Sequence, residues 1–195
     1  VVMLRNLSKE SLNKQVDIQK SLLKKKLEKS GLDNISTKLN LDSNVEVQIR
    51  ECIGQLNFIQ TVWDTVLPRD VYCKTMGKLI HTMIKEIIAY LINTPDISSN
   101  VAQSLLIIFD MITNKVSLLL PEDVRNKMSK YVENWNKFLQ LIKVFNSKSP
   151  RDIEDSWNNG RGALANEFKA QELKNLIKAL IQTSERRNAL LDKIN

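Results

Sequence analysis

His81 is the only histidine in the 195 residues. An acid–base or metal site built on it would need an acid, a thiol or a second imidazole close by. The chain sets none beside it, so His81 is expected to be structural or solvent-facing. Cys52 and Cys73 are the only thiols. They lack metal-site spacing and are too few for a disulfide framework, so they should pack as reduced side chains. The acid pairs Asp64 with Asp70 and Glu154 with Asp155 have neither the apolar setting nor the partner that shifts a carboxyl pKa, and helix capping explains them better. Trp63, Trp135 and Trp157 could stack bases of a single strand, yet each sits at helical spacing among aliphatic residues, the pattern of a core. No catalytic, cofactor-binding or metal-ligating set emerges. What remains is surface chemistry, carried by the charged side chains Glu172, Lys174, Lys178, Glu185, Arg186 and Arg187, which would form a polar rim around an apolar contact. Arg186 and Arg187 are the preferred contacts, with local pairing to Glu185 or Asp192 as their ordinary alternative.

Those six residues belong to a closing stretch from Trp157 to Ile194. It opens on a turn at Gly160 and Gly162. A helix comes next, with Leu173, Leu176, Ile177, Leu180 and Ile181 on one face. Thr183 or Ser184 can then cap a last helix whose apolar residues are Ala189, Leu190 and Ile194. Upstream, residues 1–29 predict an amphipathic helix carrying Leu4, Leu7, Val16, Leu22, Leu23 and Leu27, and residues 31–44 a polar connection. The next stripe, Val45, Ile49, Cys52, Ile53, Leu56, Ile59, Trp63 and Val66, ends at Leu67-Pro68. A second long helix runs to Ile92, with Asp70 as its cap and Tyr72, Met76, Leu79, Ile80, Met83, Ile87, Ile88 and Leu91 inward. The two should form an antiparallel hairpin. Gly77, inside the second helix, either marks close approach by a neighbour or is merely tolerated.

After a loop over 93–99, a strongly apolar helix carries Val101, Leu105, Ile108, Ile112, Val116 and Leu119. Leu106, Ile107, Phe109 and Met111 widen its stripe enough to suggest a central element. From Pro121 the rhythm of Val124, Met128, Tyr131, Val132, Trp135, Phe138, Leu139, Ile142 and Phe145 predicts another helix. Ser149-Pro150 then opens a short one through Trp157.

Composition agrees with an all-α chain. Only 5 Gly and 4 Pro leave few places to turn, so elements are long, and 43% hydrophobic residues suffice for a core. The net charge of +7 would suit an anionic partner, but 29 basic residues are interspersed with 22 acidic ones, so most charge belongs to wet helix faces. Nucleic acid is therefore not expected as a partner. Residues 1–29, with eight basic and three acidic side chains, are the most cationic part; a nucleic-acid or anionic-membrane surface there is the alternative function. Runs such as Leu105–Phe109 are far too short for a membrane span. The Val-Val start lacks the form of a signal peptide and suggests a piece of a longer protein.

Two separated motifs then carry a resemblance. One is VWDTVLPRDVYCKTMGKLI, from Val62 to Ile80. The other is the closing stretch: Trp157, Gly160, Gly162, Leu164, Ala165 and Phe168, then Glu172, Leu176, Ile177, Ala179 and Leu180, then Glu185, Arg186, Arg187, Ala189 and Leu190. Together they resemble the C-terminal region of the zeste-white-ten (Zw-ten) family of kinetochore and vesicle-tethering proteins. The departures are local: Arg161 and Ala163 stand where lysine and proline are common, a serine separates Thr183 from Glu185, and Leu173 is changed. The similarity runs from about Ile49 to Ile194, which divides the chain into a charged helix and loop, 1–44, and a C-terminal helical bundle, 45–195. The resemblance implies an elongated helical bundle of the helical-rod tethering type, without enzymatic activity or cofactors. It implies docking onto a large helical-solenoid subunit, Rod-type at kinetochores or NAG-type in the endoplasmic-reticulum tether. It further implies cytoplasmic, kinetochore and peripheral endoplasmic-reticulum locations, with other tether or checkpoint subunits reached through the rest of the parent chain.

Overall fold

The structure is a computed structural model that describes the backbone from Val2 to Asn195 and the side chains from Ser8 onward. Leu4 and Leu7, expected on the inner face of the first helix, lie outside the described side chains. Eleven α-helices succeed one another among the described residues: α1 (Val2–Glu28), α2 (Ser43–Val66), α3 (Arg69–Asn93), α4 (Ser99–Ser117), α5 (Glu122–Arg125), α6 (Met128–Tyr131), α7 (Trp135–Phe145), α8 (Pro150–Trp157), α9 (Ala163–Glu167), α10 (Ala170–Leu180) and α11 (Glu185–Lys193). The accessible surface, 11326 Å², exceeds the roughly 9,400 Å² expected of a compact monomer of this mass.

α3 is the centre. Fourteen of its residues are buried, and α1, α2, α6, α7 and α10 all pack against it. Its apolar positions cover most of the helix circumference, which only an element enclosed on several sides can use. The buried hydroxyls of Thr75 and Thr82 donate to the carbonyls of Val71 and Lys78, at 2.6 and 2.9 Å, so they add no unpaired polar group. The expectation that α4 would be central is corrected: Ile107 points into solvent at 72% exposure, Leu106 and Met111 are half-buried, and α4 packs chiefly on α2 and α7. Asp70 does not cap α3. It lies in the first turn and pairs with Lys74 at 2.7 Å, while Pro68 occupies the cap position.

Gly77 is a point of contact. A Cβ there would lie 2.1 Å from the backbone oxygen of Tyr131, so the absence of a side chain lets α6 cross α3 directly. The single helix expected from Pro121 to Phe145 is accordingly three, α5, α6 and α7, with breaks at Lys127 and at Val132–Asn134. Asn134 turns with a positive φ of 63°. His81 braces the second break, its Nδ1 lying 2.8 Å from the Glu133 carbonyl oxygen. The breaks change which face of α7 turns inward: Leu141 and Val144 are buried, while Leu139 and Ile142 are half-buried. Phe109 of α4 meets the rings of Phe138 and Phe145 edge to face, with centroids at 5.5 and 5.3 Å.

The connection over 31–44 is anchored rather than wholly polar, because Leu32 and Ile35 are fully buried. α1 lies along α3 and α2, and Val16, Leu23 and Leu27 belong to the same core as α3. At the other end, Gly160 turns with φ 79°, and a Cβ on Gly162 would clash with Ser156. The short α9 comes next, an element the periodicity did not indicate. Ser184, not Thr183, caps α11, and Ala189 is exposed rather than inward.

Candidate partner-docking surface

The residues singled out for chemistry are largely structural. Cys52 and Cys73 are buried free thiols; burial pushes Cys52 up to about 12 and raises Cys73 as well. Trp135 and Trp157 are core and Trp63 is half-buried, so the three do not make an exposed stacking row. The described His, Cys, Asp and Glu side chains form no metal-binding cluster, and no described helix is long and apolar enough to cross a membrane.

The six charged residues of the closing stretch divide into two kinds. Glu172 is half-buried and engaged: Lys137 Nζ of α7 reaches its carboxylate at 2.7 Å, and the backbone N–H of Lys169 donates to it at 3.0 Å. Burial pushes this carboxyl up, but the two donors outweigh burial and hold it below its ordinary value. Lys137 also stands 4.9 Å from the Phe168 ring centroid. Glu172 therefore ties α10 to α7. Arg187 is engaged as well. Its guanidinium donates to the Ile181 carbonyl at 3.0 Å and its backbone N–H to Ser184 Oγ at 3.2 Å, which closes the turn between α10 and α11.

Lys174, Lys178, Glu185 and Arg186 make no ion pair among the described residues. Lys178 is exposed beside Pro95 at the end of α3. Arg186 lies in a shallow groove between α8 and α11, with Arg151, Glu154 and Lys193, the last two paired at 2.5 Å. The grooves at Lys178 and at Arg186 share no lining residue, so the six do not form one patch.

A surface that the periodicity missed lies on α2. Phe58, Val62 and Val66 are 70, 45 and 73% exposed and recur every four residues on one line of the helix. Val66 was expected inward. The readable signal was the lack of any charged residue between Glu51 and Asp64. On α1, Lys24 pairs with Glu86 and Lys26 with Glu51, at 2.9 and 2.7 Å, so part of the cationic segment is neutralised within the bundle.

With this bundle in view, the comparison with known families is decisive: the ZW10 C-terminal helical domain matches residues 47–194. The chain belongs to the ZW10 C-terminal helical domain family. The Rattus norvegicus centromere/kinetochore protein zw10 homolog is 33% identical over 199 residues, covering 97% of this chain and 25% of the relative. The Drosophila pseudoobscura pseudoobscura centromere/kinetochore protein zw10 is 33% identical over 148 residues, 75% of this chain and 20% of the relative. A Caenorhabditis elegans homolog is 23% identical over 144 residues, 73% of this chain and 18% of the relative. The chain thus spans a quarter or less of these relatives' length. The ZW10 domain begins inside α2 and takes in α3 to α11; α1 precedes it.

Proposed function

We propose that this chain is a non-enzymatic interaction module: the C-terminal part of a ZW10-like subunit that docks onto a large helical solenoid. The observation that carries the reading is the family match over residues 47–194, with relatives named as centromere/kinetochore proteins. In this reading the module joins a Rod-type scaffold at the mitotic kinetochore, in checkpoint signalling and dynein recruitment. It joins a NAG-type solenoid at the endoplasmic reticulum, in the tether for Golgi-to-ER vesicles, as a cytoplasmic protein at most peripheral to the membrane. Lys178, Glu185 and Arg186, all exposed, are the rim residues open to the solenoid, with Lys174 half-buried, while Glu172 and Arg187 support them from within.

The test is co-elution of the chain with the C-terminal part of a Rod-type or NAG-type solenoid at physiological salt, beside the variant Lys178→Glu/Arg186→Glu. Both positions are exposed, so the variant should fold. The wild type is expected to shift the solenoid and the variant to lose most of the shift. A folded wild type that shifts neither solenoid overturns the docking reading.

A further inference from the structure

Most of the described arginines are used inside the bundle. Arg50 pairs with Glu46 and Arg69 with Asp123, while Arg125 and Arg187 donate to the carbonyls of Leu120 and Ile181. Arg151, Arg161 and Arg186 are exposed, and their guanidinium groups make no bond among the described residues. Two of these three converge. Arg151 of α8 and Arg186 of α11 line one groove over Pro150 and Leu190, and the carboxylate that lines it with them, Glu154, is already held by Lys193 at 2.5 Å. A guanidinium is a rigid fork of donors that grips a carboxylate through two bonds at once. Two such forks left open beside an apolar floor are complementary to a segment that carries carboxylates about an apolar side chain.

The surroundings decide which anion fits. Across residues 148–155 and 185–193 five basic side chains stand against five acidic ones, so α8 and α11 offer no net field to gather a nucleic acid or a lipid surface. Asp152, Asp155 and Asp192 are exposed on the same two helices and oppose a run of phosphates. A protein segment can present single carboxylates to the arginines without that penalty. A second copy meeting this face about a two-fold axis would set the same arginines against each other. Position separates the groove from whatever runs into α1. Residues 8–13 lie at the start of α3, beside Asp70 and Val71. α8 packs at its far end: Ile153 and Ile181 share a groove with Ser99 and Ala102, and the Ile97 N–H donates to the Ala179 carbonyl at 2.9 Å. With 25 residues, α3 holds these ends about 37 Å apart.

We propose, resting on the docking reading above, that the α8–α11 groove recognises an acidic helix of the solenoid partner, with Arg151 and Arg186 each gripping one of its carboxylates and an apolar side chain between them lying on Pro150 and Leu190. Arg151, on α8, thereby joins Arg186 as a specificity contact.

The affinity of the chain for the C-terminal part of a Rod-type or NAG-type solenoid tests this, measured for the wild type, Arg151→Glu, Arg151→Lys and Lys25→Glu, with a thermal melt of each. Positions 151 and 25 are exposed and make no ion pair among the described residues, so all four should melt alike. Arg151→Glu should bind about tenfold more weakly or worse. Lys25→Glu, the same change of charge on α1, should stay within about twofold of the wild type. Arg151→Lys keeps the charge, loses the fork and supplies a primary amine. A carbodiimide, which activates a carboxylate and joins it to an amine as its own urea leaves, should then cross-link position 151 to an Asp or Glu of the solenoid. Binding that persists in Arg151→Glu, or falls equally in Lys25→Glu, overturns the groove and leaves docking standing. Binding by Arg151→Lys without a cross-link at 151 also overturns it, pointing to an anion such as a phosphorylated side chain, and cross-links between copies of the chain would make the occupant a second copy. A folded wild type that binds neither solenoid overturns the docking reading and the groove with it.

Discussion

Gly54 and Gly77 set opposite expectations for the same substitution. Gly77→Ala would press a methyl into the Tyr131 backbone, which cannot retreat without moving α6 off α3, and the cost should be about 2 kcal/mol or more. Gly54→Ala meets open space and should stabilise the isolated chain by up to about 1 kcal/mol. Urea midpoints of the two variants check both signs. The thiols make a further expectation. Burial pushes Cys52 up to about 12 and raises Cys73 too, so at mildly alkaline pH both remain neutral thiols and react with alkylating agents only as the chain opens. Labelling followed by mass spectrometry, with and without urea, reads this directly. Sequence could raise close approach at Gly77 because glycine inside an apolar helix has few other uses. It could not tell Gly54 from Gly77, since the difference lies in what the rest of the fold brings alongside.

At the scale of elements, periodicity found the long helices and failed at their interruptions. Val124, Met128, Val132, Trp135 and Phe138 keep three- and four-residue spacing straight across two breaks, so the apolar pattern looked continuous. The breaks come from tertiary demands that no local window contains: α6 crossing at Gly77 and His81 holding the Glu133 carbonyl. The same limit applied to the charged closing stretch. Its charges were legible, but which of them were already used inside the bundle was not. Glu172 carries the clearest pH consequence. Its folded pKa lies below its ordinary value of 4.5, so its contribution to stability is fully present above that value and is lost as pH falls through the lower, folded value. Glu172→Gln should therefore lower the urea midpoint at neutral pH and flatten its acid limb below about pH 4.5. A midpoint that falls with acid as steeply in the variant as in the wild type would show that the tie to Lys137 does not carry this dependence.

At the scale of the whole molecule, the family domain and the folded unit have different bounds. The match covers residues 47–194, yet the core does not stop there. Val16, Leu23 and Leu27 of α1, with Leu32 and Ile35 from the connection, are buried against the rest. Burying a large aliphatic side chain contributes about 1.5–3 kcal/mol, so these five supply roughly 7–15 kcal/mol before the entropy of ordering the segment is counted. A domain is stable by only about 5–15 kcal/mol in total. Deleting residues 1–44 should then uncover one side of α3, the most enclosed helix of the bundle, and leave a chain that keeps much of its helical signal but loses a sharp unfolding transition. Circular dichroism and urea titration of the shortened chain beside the full one distinguish the cases. A cooperative transition at an unchanged midpoint would mean that residues 45–195 stand alone and that α1 is an accessory to them. A broad, shifted transition would mean that the unit which presents Lys178 and Arg186 to a partner includes α1, so that docking measured on the shorter segment would report a damaged surface.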